Sequence, residues 1–176
     1  MNDVLPAFYL SLLLILLGIA AWAVFRQIFK TRKIEVVLDR LQAKLTKEKG
    51  TVQEYYELGS IYLSKKLLTQ SISQFQKALK AEDVDQEDNL APVYNGLGYA
   101  YFSQEQYDLA IRNYKEALRL NPNYITALNN LGHAYERKKL TVQALEAYEQ
   151  ALTLEPNNSV AKRRAESLRK RMVPSR

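Results

Sequence analysis

The sequence predicts an all-α protein: an N-terminal transmembrane helix, then a right-handed α-solenoid of three helical hairpins and a C-terminal capping helix. Three observations support this prediction. Residues 91–124 form a 34-residue unit that is repeated at residues 125–158, and a fixed period of this length is typical of solenoids. Residues 5–25 are apolar and uncharged. Residues 159–172 are rich in Lys and Arg and place their apolar residues at helical spacing.

The apolar run at residues 5–25 has Ser11 as its only clearly polar side chain. A helix of this length spans about 30 Å, the thickness of a bilayer's hydrocarbon core. The alternative is a cleaved signal peptide, because residues 21–23 offer an A-x-A cleavage site. The residues before the run contain no Lys or Arg, whereas a signal peptide begins with a positive region. We therefore expect a permanent membrane anchor.

Basic residues follow the apolar run directly, and none precedes it. We expect four of them to face lipid head groups: Arg26, Lys30, Arg32 and Lys33. The positive-inside rule places this flank, and the repeats after it, on the cytoplasmic or equivalent side, with the N-terminus outside.

Residues 26–50 form a basic linker segment with an apolar stripe at helical spacing. Two interpretations of this segment remain open. It is either a connecting helix that packs on the first repeat or an amphipathic helix that lies on an anionic membrane surface.

A third, weaker copy of the repeat covers residues 52–85 and is followed by an insertion at residues 86–90. The acidic stretch at residues 82–89 lacks apolar anchors, so we expect a solvated loop. The basic segment at residues 159–172 is expected to give the solenoid a polar end. Contact of its cations with anionic lipid or nucleic acid is the alternative. Nucleic acid is the less favoured of the two, because no aromatic residue is interleaved to stack on bases.

Small residues and prolines at fixed positions explain why each unit folds as a hairpin. Gly98 and Gly132 occupy equivalent positions inside a predicted helix, where glycine costs about 1 kcal/mol relative to alanine. We expect a neighbouring helix to approach closely there, with alanines supplying the matching surface. Pro122 and Pro156 are expected to end the second helix of each hairpin, because the residue before a proline is disfavoured in helical conformation.

This pattern, with Gly at position 8, Ala at 20 and 27 and Pro at 32 of the unit, resembles the tetratricopeptide repeat. The order of the parts also resembles the membrane-anchored tetratricopeptide family that assists photosystem I assembly in cyanobacteria and plastids. The segments that carry this resemblance are FRQIFKTRK after the apolar run, EYYELGSIYLSKKL in the first repeat and NNLGHAYERKKL in the third. The resemblance implies an integral thylakoid protein with its repeats on the stromal or cytoplasmic side and photosystem I subunits as partners.

No arrangement of residues indicates catalysis. The chain contains no cysteine and a single histidine, His133, so the usual ligands of a zinc site are missing. The G-x-G at residues 96–98 lies within a predicted helix and has no third glycine, unlike a dinucleotide-binding loop. We expect no enzyme, no cofactor, no metal and no small-molecule substrate.

Tetratricopeptide arrays bind protein segments in a concave groove that the first helix of each repeat lines. The resemblance maps this groove onto eleven residues: Gln53, Tyr56, Ser60, Leu63, Asn95, Tyr99, Phe102, Asn129, His133, Glu136 and Arg137. Chaperone-binding members hold a terminal carboxylate with Lys, Asn and Arg in this groove. The positions of that clamp are occupied here by Tyr56, Ser60, Gly96, Thr126 and Asn130, so we expect no capture of chaperone C-termini.

The function that follows is a non-enzymatic, membrane-tethered scaffold that assists assembly or stability of photosystem I by holding its subunits in the groove. Two alternatives remain open. The first is a membrane-anchored tetratricopeptide adaptor in protein import or cytochrome biogenesis. The second is a structural subunit of a membrane complex.

Overall fold

The computed structural model describes residues 4–81 and 90–172, and every regular element in these two ranges is an α-helix. The predicted all-α fold class is confirmed. The chain divides into two compact units, residues 1–44 and residues 45–176.

The first element, α1 (Val4–Lys47), is an uninterrupted helix of 44 residues. The apolar run and most of the basic linker segment, predicted as two elements, therefore belong to one helix. No proline or glycine lies between Gly18 and Gly50 to interrupt it. Within the described residues, α1 is the one helix that is long and apolar enough to cross a membrane, judged by length and composition.

Three helical hairpins and a final helix make up the second unit. The elements are α2 (Val52–Ser64) and α3 (Leu68–Ala78), α4 (Ala91–Ser103) and α5 (Tyr107–Leu120), α6 (Ile125–Arg137) and α7 (Thr141–Leu154), and α8 (Ser159–Met172). Each hairpin lies inside a repeat that the 34-residue period predicted, and α8 coincides with the predicted capping helix.

The prolines end their helices as expected. Helix α5 ends at Leu120 and α7 at Leu154, each two residues before a proline, Pro122 and Pro156. The intervening Asn121 is extended, with φ −135° and ψ 91°. An extended residue before proline avoids the clash with the proline ring that a helical residue would make.

The turn inside each hairpin places one residue in the left-handed region. Lys66, Glu105 and Lys139 have φ of 60°, 61° and 61°. The next residue closes each turn with a backbone hydrogen bond; in the third repeat the Leu140 N–H donates to the Tyr135 carbonyl at 2.9 Å. A residue with a Cβ costs about 1 kcal/mol or more in this conformation, so all three turns carry some strain.

Tyrosine rings occupy the space that the helical glycines leave open. A Cβ added at Gly98 would lie 2.7 Å from the Tyr114 ring, and one at Gly132 would lie 2.8 Å from the Tyr148 ring. The close approach predicted from these glycines is therefore present, but the matching surface is mainly a tyrosine ring rather than an alanine.

The first helices of neighbouring hairpins contact each other, because α4 contacts both α2 and α6. The last helix, α8, packs on α7 through Ala161, Ala165 and Leu168, which are all buried.

The predicted insertion at residues 86–90 lies outside the described residues except for Leu90. This leucine is only 7% exposed and joins the core cluster around Phe75 and Val93. Its apolar side chain therefore belongs to the core of the repeats. The acidic stretch at residues 82–89, predicted as a solvated loop, lies outside the described residues.

Candidate functional site

A cleft of about 700 Å³ opens between the first and second repeats, where α2 and α4 face each other. Its walls are formed by Ser60, Leu63, Ser64, Lys66, Leu68, Tyr99 and Ser103. Three predicted groove residues, Ser60, Leu63 and Tyr99, are thus brought together. The Tyr99 side chain is 47% exposed although it is large and aromatic. Such a cleft suits a bulky apolar side chain of a partner, with hydroxyl groups at its rim to bond the partner's backbone.

The remaining groove residues of α2 differ in burial. Tyr56 is half-buried, and its ring lies 5.9 Å from the Phe75 ring, centroid to centroid. Gln53 is exposed in the first turn of the helix. Tyr56 thus borders the core, whereas Gln53 is free to contact a partner.

Asn95 joins the second and third repeats. The Asn130 amide Nδ2 donates to Asn95 Oδ1 at 2.9 Å, and Asn95 Nδ2 donates to the Tyr124 hydroxyl at 3.5 Å. Burial and the neighbouring Tyr56 raise the pKa of Tyr124, and the hydrogen bond from Asn95 opposes this shift. The amide predicted to bond a peptide backbone is therefore already engaged between repeats.

Asn129 retains hydrogen-bonding capacity. Its Oδ1 atom is buried and accepts no hydrogen bond from any residue in the described part of the chain. Buried acceptors are usually paired, so this unpaired oxygen carries a cost in the free protein.

Aromatic and cationic side chains meet at the other half of the groove. The Phe102 ring lies 4.7 Å from the His133 ring and 5.4 Å from the Tyr107 ring. The Arg137 guanidinium lies 5.2 Å from the Tyr107 ring centre and 3.5 Å from the Glu105 carboxylate. Phe102, His133 and Arg137 were all predicted for the groove; Tyr107, at the start of a second helix, was not.

The electrostatics around His133 favour the neutral imidazole. Burial lowers its pKa most, the cations of Arg164 and Arg137 lower it further, and the Glu136 carboxylate opposes them. A neutral imidazole beside Phe102 both donates and accepts hydrogen bonds.

Glu136 is used inside the fold. Its Oε1 accepts a hydrogen bond from the Tyr148 hydroxyl at 2.7 Å, and its Oε2 lies 3.5 Å from the Arg164 guanidinium. The carboxylate is 14% exposed, and burial together with this carboxylate raises the pKa of Tyr148. Glu136 thus connects α6, α7 and α8. The sequence predicted it as a groove residue and gave no sign of these contacts.

The predicted lipid-facing cations lie on α1. The Arg26 guanidinium lies 5.6 Å from the Trp22 ring centre, and Arg32 and Lys33 are exposed. The side chain of Lys30 lies outside the described residues. A Trp with an adjacent Arg is typical of the interface between hydrocarbon and head groups.

No cluster in the described residues has the composition of a metal site. The G-x-G at residues 96–98 serves packing, because a Cβ at Gly96 would lie 2.7 Å from the Phe75 ring. The G-x-G is thus explained by helix packing and does not indicate a dinucleotide site.

Comparison with known proteins agrees with this architecture. Models of the tetratricopeptide repeat match residues 55–84, 93–139 and 125–158. The chain is 39% identical over 128 residues to ycf37 of Cyanophora paradoxa, which is described as an uncharacterized protein, and the match covers 72% of this chain and 73% of that one. The chain belongs to the ycf37 family of tetratricopeptide repeat proteins.

A second relative is the chloroplastic tetratricopeptide repeat domain-containing protein PYG7 of Arabidopsis thaliana. It is 38% identical over 119 residues, which cover 68% of this chain and 39% of the relative. Among solved structures, the first TPR of Spaghetti (RPAP3) bound to the HSP90 peptide SRMEEVD superposes with a TM-score of 0.64. At 22% identity, covering 71% of this chain and 95% of the other, that likeness shows the fold alone. A tetratricopeptide protein is a protein-interaction scaffold, and its fold is generally non-enzymatic.

Proposed function

We propose that this protein is an assembly factor of the thylakoid membrane that assists assembly or stability of photosystem I. In this proposal α1 anchors the chain in the bilayer, and the concave groove of the repeats holds a segment of a photosystem I subunit. The repeats lie on the stromal or cytoplasmic side.

The observation that carries the binding half of the proposal is the cleft around Tyr99. Three serines, a lysine and two leucines surround an exposed tyrosine there. Tyrosines at such positions contribute strongly to protein interfaces, because they bury a large area at a small entropic cost. In the third repeat, Asn129 has a buried amide oxygen without a donor. An extended or helical protein segment that places an apolar side chain in the cleft would cover the Tyr99 ring.

Support for the membrane half comes from α1 and its flank. The apolar run is long enough to span a bilayer, and Trp22 with Arg26 forms an interfacial pair at its end. The cations that follow favour the cytoplasmic or stromal side for the repeats.

Support for photosystem I as the target comes from family resemblance. The non-consensus segments of the first and third repeats resemble those of the photosystem I assembly family. One relative, PYG7, is chloroplastic by name.

Co-purification from solubilised thylakoid membranes tests the proposal. The wild-type chain is compared with Tyr99→Ala/Asn129→Ala, which removes the exposed ring and the unpaired amide oxygen. The matched control, Leu109→Ala/Val142→Ala, removes two exposed apolar side chains on second helices instead. We expect the wild type and the control to retain photosystem I subunits, and the groove variant to lose them roughly 30-fold, the factor for a hot spot of about 2 kcal/mol. Circular dichroism should show the same helicity for all three chains.

Two results would contradict the proposal. Undiminished capture by the groove variant would assign binding to another surface. Recovery of translocase or haem-lyase components, or a stoichiometric presence in the mature complex, would replace the assembly role by an adaptor or structural role.

A further inference from the structure

The outer face of α8 carries cations that the fold does not neutralise. The helix packs inward through Ala161, Ala165 and Leu168. The rest of its surface presents one exposed acid, Glu166, and four exposed cations: Lys162, Arg163, Lys170 and Arg171. Among residues 90–172, none of these four forms an ion pair.

The two other cations of α8 are used internally. Arg169 lies 2.6 Å from the Glu149 carboxylate of α7, and Arg164 lies 3.5 Å from Glu136 of α6. The acids of the repeats thus pair with Arg164 and Arg169, the two cations closest to the packed side of α8. The outward-facing cations remain available for another partner.

A capping role does not account for this charge. The end of a solenoid needs a polar surface, and a mixture of Lys and Glu would supply one. Instead, residues 159–176 contain seven basic residues and one acid, whereas residues 51–158 contain ten basic and fourteen acidic residues. The excess of one sign on one face indicates an anionic partner outside the chain.

The setting of the protein favours a lipid surface over a nucleic acid. No aromatic residue lies on α8, so the helix offers no ring on which a base could stack. An anchor in the bilayer keeps anionic head groups at high effective concentration. Each cation near such a surface strengthens binding about fivefold, the factor for about 1 kcal/mol.

We propose that the outer face of α8 docks on the anionic surface of the membrane in which the chain is anchored. This inference rests on the membrane anchorage proposed above and is independent of what the groove binds. Docking would hold the repeats at the bilayer through two attachments, α1 and α8, and so limit the directions in which the groove faces.

Fluorescence energy transfer in lipid nanodiscs tests this docking. The chain contains no cysteine, so Ser159→Cys on the exposed first turn of α8 takes one donor dye. Acceptor dye is placed on lipid head groups. We expect high transfer in discs with one-third phosphatidylglycerol and low transfer in pure phosphatidylcholine. Raising the salt to about 1 M, where the Debye length is about 3 Å, should abolish the difference.

Two charge variants complete the experiment. Lys162→Gln/Arg163→Gln/Lys170→Gln/Arg171→Gln should lower the docked-to-free ratio by more than tenfold. The matched control neutralises four exposed cations of the repeats that lie outside the cleft: Lys80, Arg112, Lys115 and Lys139. It should dock like the wild type.

Three other outcomes would contradict either the docking of α8 or the membrane anchorage on which it rests. Equal transfer in both lipids, or equal losses in both charge variants, refutes docking by α8. Binding of single-stranded RNA by the same four cations without a lipid effect assigns the face to nucleic acid. Failure of the chain to co-elute with discs of either composition refutes the anchorage itself, which separates the two claims.

Discussion

The first and third repeats meet the same packing requirement with different chemistry. At position 24 of the unit, Phe75 is fully buried between two helices, 2.8 Å and 2.7 Å from the Cβ positions of Gly59 and Gly96. The third repeat has Tyr148 at this position; its ring lies against Gly132, and its hydroxyl donates a hydrogen bond to the Glu136 carboxylate. A flat ring against a glycine is the shared requirement. In the third repeat the tyrosine hydroxyl adds a hydrogen bond to a carboxylate, which Phe75 cannot make.

The first repeat also differs from the others in its small residue and in its proline. Ser71 occupies the position of Ala110 and Ala144, and its buried hydroxyl donates to the Gly59 carbonyl at 2.8 Å. The first repeat also lacks the proline, and α3 ends at Ala78, whereas α7 continues to Leu154. The size of the side chain at each repeat position is thus set by how the helices stack. Its polarity is set by the neighbouring residues, which differ between repeats.

The largest effect is expected for Phe75→Ala. This substitution removes a fully buried ring that contacts glycines of two repeats, so we expect a loss of about 3–5 kcal/mol in the free energy of unfolding. Phe102→Ala removes the same ring from a half-exposed site and should cost clearly less. Urea unfolding followed by circular dichroism measures both. Equal losses would show that the glycine contacts add nothing.

An intermediate effect is expected for the hydroxyl of the third repeat. Tyr148→Phe removes a hydrogen bond to the Glu136 carboxylate, which should cost about 1.5–3 kcal/mol. Tyr114→Phe, the equivalent change in the second repeat, removes a hydroxyl that has no such carboxylate and should cost less. If both variants lose the same stability in thermal unfolding, the difference drawn between the repeats is wrong.

A gain of about 1 kcal/mol is expected for Lys139→Gly. Lys139 has φ 61°, a conformation that glycine adopts without strain. The adjacent Lys138 has φ −84°, so Lys138→Gly serves as the control and should not stabilise. The midpoint of chemical unfolding reports both changes. A loss of stability in Lys139→Gly would show that the lysine side chain itself holds the turn.

The smallest effect concerns pH. Burial and neighbouring arginines lower the pKa of His133 in the folded protein, so the unfolded chain binds a proton more readily. The folded state is therefore most stable above the unfolded pKa of about 6.5, and its stability declines as the pH falls from that value through the lower folded pKa. His133 is the only histidine, so His133→Gln should remove this decline. An unchanged decline in His133→Gln would assign it to carboxylates.

The hairpins could be predicted because the residues that mark their helix ends and close contacts recur at the same positions of each repeat. Glycine, alanine and proline recur every 34 residues, and Pro122 and Pro156 end α5 and α7 where the spacing indicates. The same register predicted Tyr99 and Leu63 for the groove; Tyr99 is exposed, Leu63 is half-buried, and both line the cleft between the first two repeats.

Other features could not be predicted because they depend on contacts between residues far apart in the chain. Asn95 bonds Asn130 and Glu136 pairs with Arg164, and both contacts depend on how the repeats stack. The left-handed residues Lys66 and Lys139 gave no signal, since glycine or asparagine is the usual marker of such a turn.

Site-specific photo-crosslinking from position 99 in native thylakoid membranes tests the central claim most directly. A crosslinking amino acid replaces Tyr99 in the cleft, and the same group at Leu109 on α5 serves as the control. The proposed function predicts a crosslink from position 99 to a photosystem I subunit and none from position 109. Crosslinks to another membrane complex, or to photosystem I from position 109 alone, would contradict it.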